Sequence, residues 1–200
     1  TAIISDSVTE IAENAFEGCD NLTIICNENS YAHAYASAQG IAVTTLVIAP
    51  IPNQTYTGFE IKPEISVSFS GKALDKNTDF TATYSNNVNV GTANVKIKGL
   101  GELKMLASKA DFTIVTSDIS NAYVAEIKAV DYTGEKIIPE LTVVSGGKVL
   151  EKGKDYTVTY KNNVEPGTAT VELKGIGNYS GSKTVYFEIQ ELDMVQSIVN

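Results

Sequence analysis

From residue 56 onward, apolar and polar side chains alternate one for one in short runs. Ile65, Val67 and Phe69 alternate with Ser66 and Ser68. Phe80, Ala82 and Tyr84 alternate with Thr81 and Thr83, and Ala93, Val95 and Ile97 with Asn94, Lys96 and Lys98. The pattern returns at Tyr156, Val158 and Tyr160, at Ala169, Val171 and Leu173, and at Val185, Phe187 and Ile189. A period of two sends alternate side chains to opposite faces, so each run predicts an antiparallel strand with one apolar and one wet face. Gly71, Asn86-Asn87, Gly91, Gly99 and Gly101 separate the runs, and these residue types tolerate the positive φ that tight connections need.

The runs belong to a repeat. Residues 56–101 align with 132–177 without a gap, and 25 of the 46 pairs are identical, far above chance in a fixed register. Tyr56-Thr57-Gly58 matches Tyr132-Thr133-Gly134, Asp79 matches Asp155, Asn86-Asn87-Val88 matches Asn162-Asn163-Val164, and Gly91-Thr92-Ala93 matches Gly167-Thr168-Ala169. Beyond Gly101 the first copy carries one extra residue, so that Phe112 pairs with Phe187. Several short strands in about 70 residues with such turn spacing predict a small β-sandwich, close to an immunoglobulin-like layout, built twice.

The first forty-five residues differ. Ser30 is placed to cap a short helix over about 31–39, and Gly40 to end it. The string SDSVTEIAENAFEGCDNLTIIC, through Ile11, Ala15-Phe16, Gly18-Cys19 and Leu22 leading into Ile24-Ile25, resembles the leucine-rich repeats of BspA-like bacterial surface proteins. NENSYAHAYASAQGIAV resembles the terminal cap of such arrays. One repeat cannot bury its own apolar face, so the resemblance implies further repeats upstream. The β copies resemble modules that follow such repeats in surface proteins of Gram-positive anaerobes. The second copy fits best, through Asp155-Tyr156, Gly177-Asn178-Tyr179 and Gly181; the first departs at Glu102-Leu103-Lys104. This resemblance implies a spacer or binding module and no catalysis.

Composition narrows the partners. A net charge of -9 repels phosphates and anionic lipid surfaces, so nucleic acid is not an expected partner. No apolar run approaches the length of a membrane span, so no membrane insertion is expected. The abrupt start at Thr1, without Met, suggests a fragment, and without a charged n-region and apolar h-region it carries no signal peptide of its own.

Candidate chemistry is sparse. Cys19 and Cys26 are the only cysteines; they read as buried free thiols, with a disulfide as the alternative. His33, the lone histidine, is expected to face outward from the cap helix. Asp75, Asn77 and Asp79 mimic the opening of a calcium loop, but Phe80 and Asn86 stand where that loop wants glycine and glutamate. Asp79 and Asp155 read instead as turn caps accepting from backbone N–H groups. An intramolecular Lys–Asn amide crosslink would draw on Lys72, Lys98 and Asn86. Tyr56, Tyr84, Tyr132 and Tyr160 read as core residues with the hydroxyl at the rim, whereas Tyr179 and Tyr186 are the exposed candidates for ligand binding by stacking.

The expectation is therefore a mostly β chain. A terminal leucine-rich repeat and cap helix fill 1–45, and two tandem immunoglobulin-like β-sandwiches fill 46–116 and 122–190, joined by a short link over 116–122. A tail covers 191–200, where Leu192, Met194, Val195 and Ile198 could make an amphipathic turn. The function expected is that of a monomeric, non-catalytic, extracellular or surface-displayed adhesion scaffold without cofactor or metal, whose partner is a host or matrix protein or a cell-surface glycan. The alternative is a carbohydrate-binding accessory region of a larger secreted enzyme, resting on Tyr179 and Tyr186.

Overall fold

A computed structural model describes residues 1–191; the expected turn at Leu192, Met194, Val195 and Ile198 lies outside the described residues. The chain is mostly β, with several small sheets and one α-helix among the described residues. It divides into two compact units: 1–54, 61–87 and 91–113 form the first, and 55–60, 88–90 and 114 onward form the second.

The first unit opens with three short parallel strands, Ala2–Ile3, Thr23–Ile25 and Ala42–Thr44, with Thr23–Ile25 in the middle. The helix Tyr31–Ala38 packs on the second and third of them. Its start is fixed by Ser30, whose hydroxyl accepts from the His33 N–H at 3.1 Å. Its end is a Schellman turn: Ile41 N–H donates to the Ala36 carbonyl at 2.8 Å, and Gly40 sits at φ 65°. Ala32 and Ala36 lie four apart on one face and pack with Ile24 and Cys26 in a small core. Cys26 is buried, as expected, but Cys19 is exposed on its turn, and the two thiols are free.

The rest of the first unit comes from the first repeat. Leu46–Ile48, Val67–Phe69 and Lys72–Leu74 form an antiparallel sheet. A second sheet runs in the order Gln54–Thr55, Ala107–Val115, Gly91–Gly99, Phe80–Ser85. Leu46 and Val67 from one sheet meet Phe80, Val95 and Ile97 from the other in a single apolar cluster, which is a two-layer arrangement. The alternation works as the sequence predicts: Ala93, Val95 and Ile97 are buried while Lys96 and Lys98 are exposed. Full burial of each large member of this cluster contributes about 1.5–3 kcal/mol.

The second repeat, in the second unit, uses the same strand order. Val130–Asp131, Ser182–Gln190, Gly167–Gly175 and Tyr156–Lys161 form its four-stranded sheet, and Tyr123–Val124, Val143–Ser145 and Lys148–Val149 its three-stranded one. The short link 116–122 is itself built into the second unit. Ser117–Asp118 pairs in parallel with Tyr179–Ser180, and Ile119 at 0% exposure packs against the strands Gly167–Gly175 and Ser182–Gln190. An apolar residue in a polar-looking connection is a plug for the sandwich end it precedes.

Candidate functional site

Polar residues that the repeat duplicates are the first candidates, and three pairs of them are committed to backbone. Asp79 accepts from the Asp75 N–H at 2.9 Å, and Asp155 from the Glu151 N–H at 3.0 Å. With Asn77 at φ 70° and its N–H donating to the Phe80 carbonyl, the calcium-like string 75–79 is a capped turn. Tyr84 donates its hydroxyl to the Pro63 carbonyl at 2.6 Å, and Tyr160 to the Pro139 carbonyl at 3.2 Å. Lys72, Lys98 and Asn86 are all exposed, so the desolvation that a Lys–Asn crosslink needs is missing there.

Sequence reasoning passed over the second asparagine of each pair. Asn87 and Asn163 are buried, and each holds an isoleucine by both of its backbone groups. The Asn163 carbonyl accepts from the Ile137 N–H at 2.8 Å, while its side-chain amide donates to the Ile137 carbonyl at 2.8 Å. Asn87 treats Ile61 in the same way. Asn163→Ala leaves a buried carbonyl bare and should cost about 1–3 kcal/mol. Urea denaturation followed by tyrosine fluorescence measures this; a loss within error of zero would show that water replaces the amide freely.

In the first unit the nucleophile candidates are quiet. Burial pushes the Cys26 thiol up, Ser30 partly offsets this by hydrogen bonding, and Asp6 adds to the rise. A thiol held protonated is a poor nucleophile. His33 is half-buried on the helix.

A cluster of interacting side chains lies in the second unit. Tyr56 and Tyr179 meet edge to face, with ring centroids 5.4 Å apart at 87°. Lys148 Nζ donates to the Tyr56 hydroxyl at 3.3 Å and stands 4.0 Å from Asp155 Oδ2. Asp155 itself is buried. Beside them Asn178 is held at both ends of its amide: Oδ1 accepts from the Val90 N–H at 2.9 Å, and Nδ2 donates to Asn89 Oδ1 at 3.1 Å. Tyr179 is 3% exposed, which corrects the expectation that it faces solvent. Its turn does lie at the surface end of a strand, but Tyr56 covers the ring.

This cluster binds its own members together and offers no activated group. Tyr179 is pushed up to about 12, first by burial and then by Tyr56 and Asp155, so its phenol keeps its proton at neutral pH. Burial raises Tyr156 and Tyr160 as well. A phenol that holds its proton more tightly in the fold than in the open chain contributes stability that is complete below about pH 10 and lost as the pH climbs through about 12. The urea midpoint should therefore fall over that window, by at most about 1.4 kcal/mol per pH unit for one tyrosine. Tyr179→Phe should flatten the fall; an equally steep profile in that variant would deny Tyr179 the role.

Tyr186 is the other ligand-binding candidate, and it is 62% exposed as expected. On the outer sheet face it lies opposite Thr170, which lies opposite Lys161. Lys161 pairs with Glu172 at 3.0 Å, so the exposed ring stands in a polar, hydrogen-bonding row. Asp111 holds the equivalent position in the first repeat. The structure thus separates the two tyrosines: Tyr179 belongs to the interior and Tyr186 to the surface. The sequence also gave no warning of an apolar row on the three-stranded sheet, where Tyr123, Val144 and Val149 stand in register with the outer two exposed. No protein-family model matches this chain and no curated protein does, so its function rests on its own geometry.

Proposed function

We propose that the chain is a non-catalytic region of an extracellular, surface-displayed bacterial protein, in which the end of a BspA-like leucine-rich-repeat array is followed by two immunoglobulin-like sandwich modules. The modules act as spacers that hold a protein-binding array away from its attachment point. One observation carries this reading: three polar pairs common to both repeats, Asp79/Asp155, Asn87/Asn163 and Tyr84/Tyr160, are spent on the same backbone contacts twice. Residues kept for construction leave their chemistry unavailable for turnover. The three parallel strands at the start, about twenty residues apart, suit a stacked-repeat array, which would offer a concave face to a host or matrix protein.

A second reading has its own support. Tyr186, exposed among Thr170, Lys161 and Glu172, has the mix of aromatic face and polar neighbours that suits a sugar ring, which favours a carbohydrate-binding accessory region. A glycan array probed with the wild-type chain and Tyr186→Ala separates the two. The spacer reading expects no glycan signal from either protein. A glycan bound by the wild type and lost in Tyr186→Ala replaces it with the second reading, and turnover of a glycan or peptide by the purified chain overturns both.

A further inference from the structure

The second unit contains one docking arrangement in full. Its receiving end is the corner Gly175–Gly181 with Lys148; the end received is made by residues 55–60 and 88–90. Tyr56 lies on Tyr179, Asn89 and Val90 clasp Asn178, and Gly58 and Gly146 leave room for close approach, since a Cβ on Gly58 would sit 3.2 Å from Lys148 Cδ and one on Gly146 3.4 Å from the Thr57 carbonyl oxygen.

The received end exists a second time in the same unit. Tyr132 N–H donates to the Gln190 carbonyl at 2.8 Å, as Tyr56 N–H does to the Val115 carbonyl at 2.9 Å. Thr133 Oγ1 accepts from the Glu135 N–H at 3.3 Å, as Thr57 Oγ1 does from the Phe59 N–H at 3.3 Å. Gly134 and Gly58 share positive φ, 76° and 86°, and Asn162 and Asn86 share 54°. Yet Tyr56 is 5% exposed while Tyr132 is only half-buried, with no ring packed on it among the described residues. An open hollow of ≈ 340 Å³ lies over 162–168, the stretch equivalent to the one that receives Asn178.

We propose that this second end, residues 131–136 and 164–166, is an interaction surface for a further β module of the same kind, one that brings an aromatic ring to the place Tyr179 holds. The proposal rests on the tandem-module reading above and names its partner. Three differences set the partner's chemistry. Pro166 replaces Val90 and has no N–H to donate, and Glu165 replaces Asn89. Glu135 also stands where the first repeat has Phe59. Asp131, Glu135 and Glu165 outweigh Lys136, so the surface is net acidic; around Glu165 and Pro166 it accepts hydrogen bonds, which suits a partner with a donor-only side chain, lysine or arginine, at the position of Asn178.

The test extends the chain: residues 1–191 followed directly by a second copy of 117–200, which preserves the junction register. Hydroxyl-radical footprinting with mass spectrometry reads Tyr132 in the original and the extended protein, with Tyr56 as the protected standard. The expected result is strong labelling of Tyr132 in the original chain and a fall to the Tyr56 level in the extended one. Asn178→Lys in the added copy should raise its melting temperature. Unchanged labelling of Tyr132 beside a cooperatively melting added copy overturns the proposal and leaves the spacer reading standing. An added copy that does not fold overturns it too, because the same sequence folds against the end at 55–60. Labelling of Tyr132 already at the Tyr56 level in the original chain shows the surface to be covered, and likewise refutes it.

Discussion

Gly175→Ala should cost at least about 3 kcal/mol, more than most overpacking substitutions, because the added methyl has only backbone to displace. A Cβ at this position would lie 2.7 Å from the Ser180 carbonyl oxygen, 2.8 Å from the Ser180 nitrogen and 2.9 Å from the Tyr179 carbonyl carbon. The corner that passes over Gly175 is pinned there, with Gly175 N–H donating to the Gly181 carbonyl at 3.0 Å. It cannot lift without pulling Tyr179 and Asn178 out of their contacts. Gly99→Ala repeats the experiment in the first repeat, where the Cβ would collide with the Leu103 carbonyl oxygen. Neither glycine has positive φ, so the effect isolates close approach from backbone conformation. Urea titration of both variants measures it, and a loss under about 1 kcal/mol would mean that the corner relaxes easily.

Ile119→Ala should cost about 2–5 kcal/mol, although the residue lies in what looks like a connection. Its side chain is fully buried in the second unit, within the short 3₁₀ turn Ile119–Asn121. Asp118 starts that turn by accepting from the Ser120 N–H at 2.8 Å, a bond that also lowers the pKa of Asp118. Lys183 Nζ then caps the Ser120 carbonyl at 2.9 Å. A turn held at both ends gives little, so the vacated space stays as a cavity and the full penalty appears. Val47→Ala, at an exposed sheet position, serves as the control and should change stability by under about 0.5 kcal/mol. If the two variants behave alike, Ile119 is not a core residue.

Much of the architecture was legible because alternation is a local property. Val95 and Ile97 declare their face through Lys96 and Lys98, whatever else the chain does. The turn caps were legible too: a carboxylate just ahead of a strand, in a segment with Asn or Gly, has its nearest donors in its own backbone, as Asp79 and Asp155 do. The N-cap at Ser30 and the stop at Gly40 belong to the same class.

What failed depends on distant segments. Tyr179 sits in a Gly-Asn-Tyr turn, and nothing nearby reveals that Tyr56, far back in the chain, closes over it. In the Asn-Asn pairs, two identical neighbours diverge: Asn86 takes φ 54° at the surface, while Asn87 turns in to hold Ile61. Period-two reasoning stops at such a turn, so it could not say which asparagine enters the core. Ile119 was hidden by its company, since Thr116, Ser117, Asp118 and Ser120 make the stretch look like a tether. Cys19 was misplaced because the turn that carries it has no periodicity to give it a side.

The burial of Tyr56 against Tyr179 has a practical consequence for dissecting the molecule. A fragment cut where the repeats meet in sequence, beginning at residue 117, would keep Tyr179, Lys148 and Asn178 but lose Tyr56, Asn89 and Val90. Such a fragment would inherit a sticky, half-stripped facet, and its melting point would understate how robust the repeat is in its native setting.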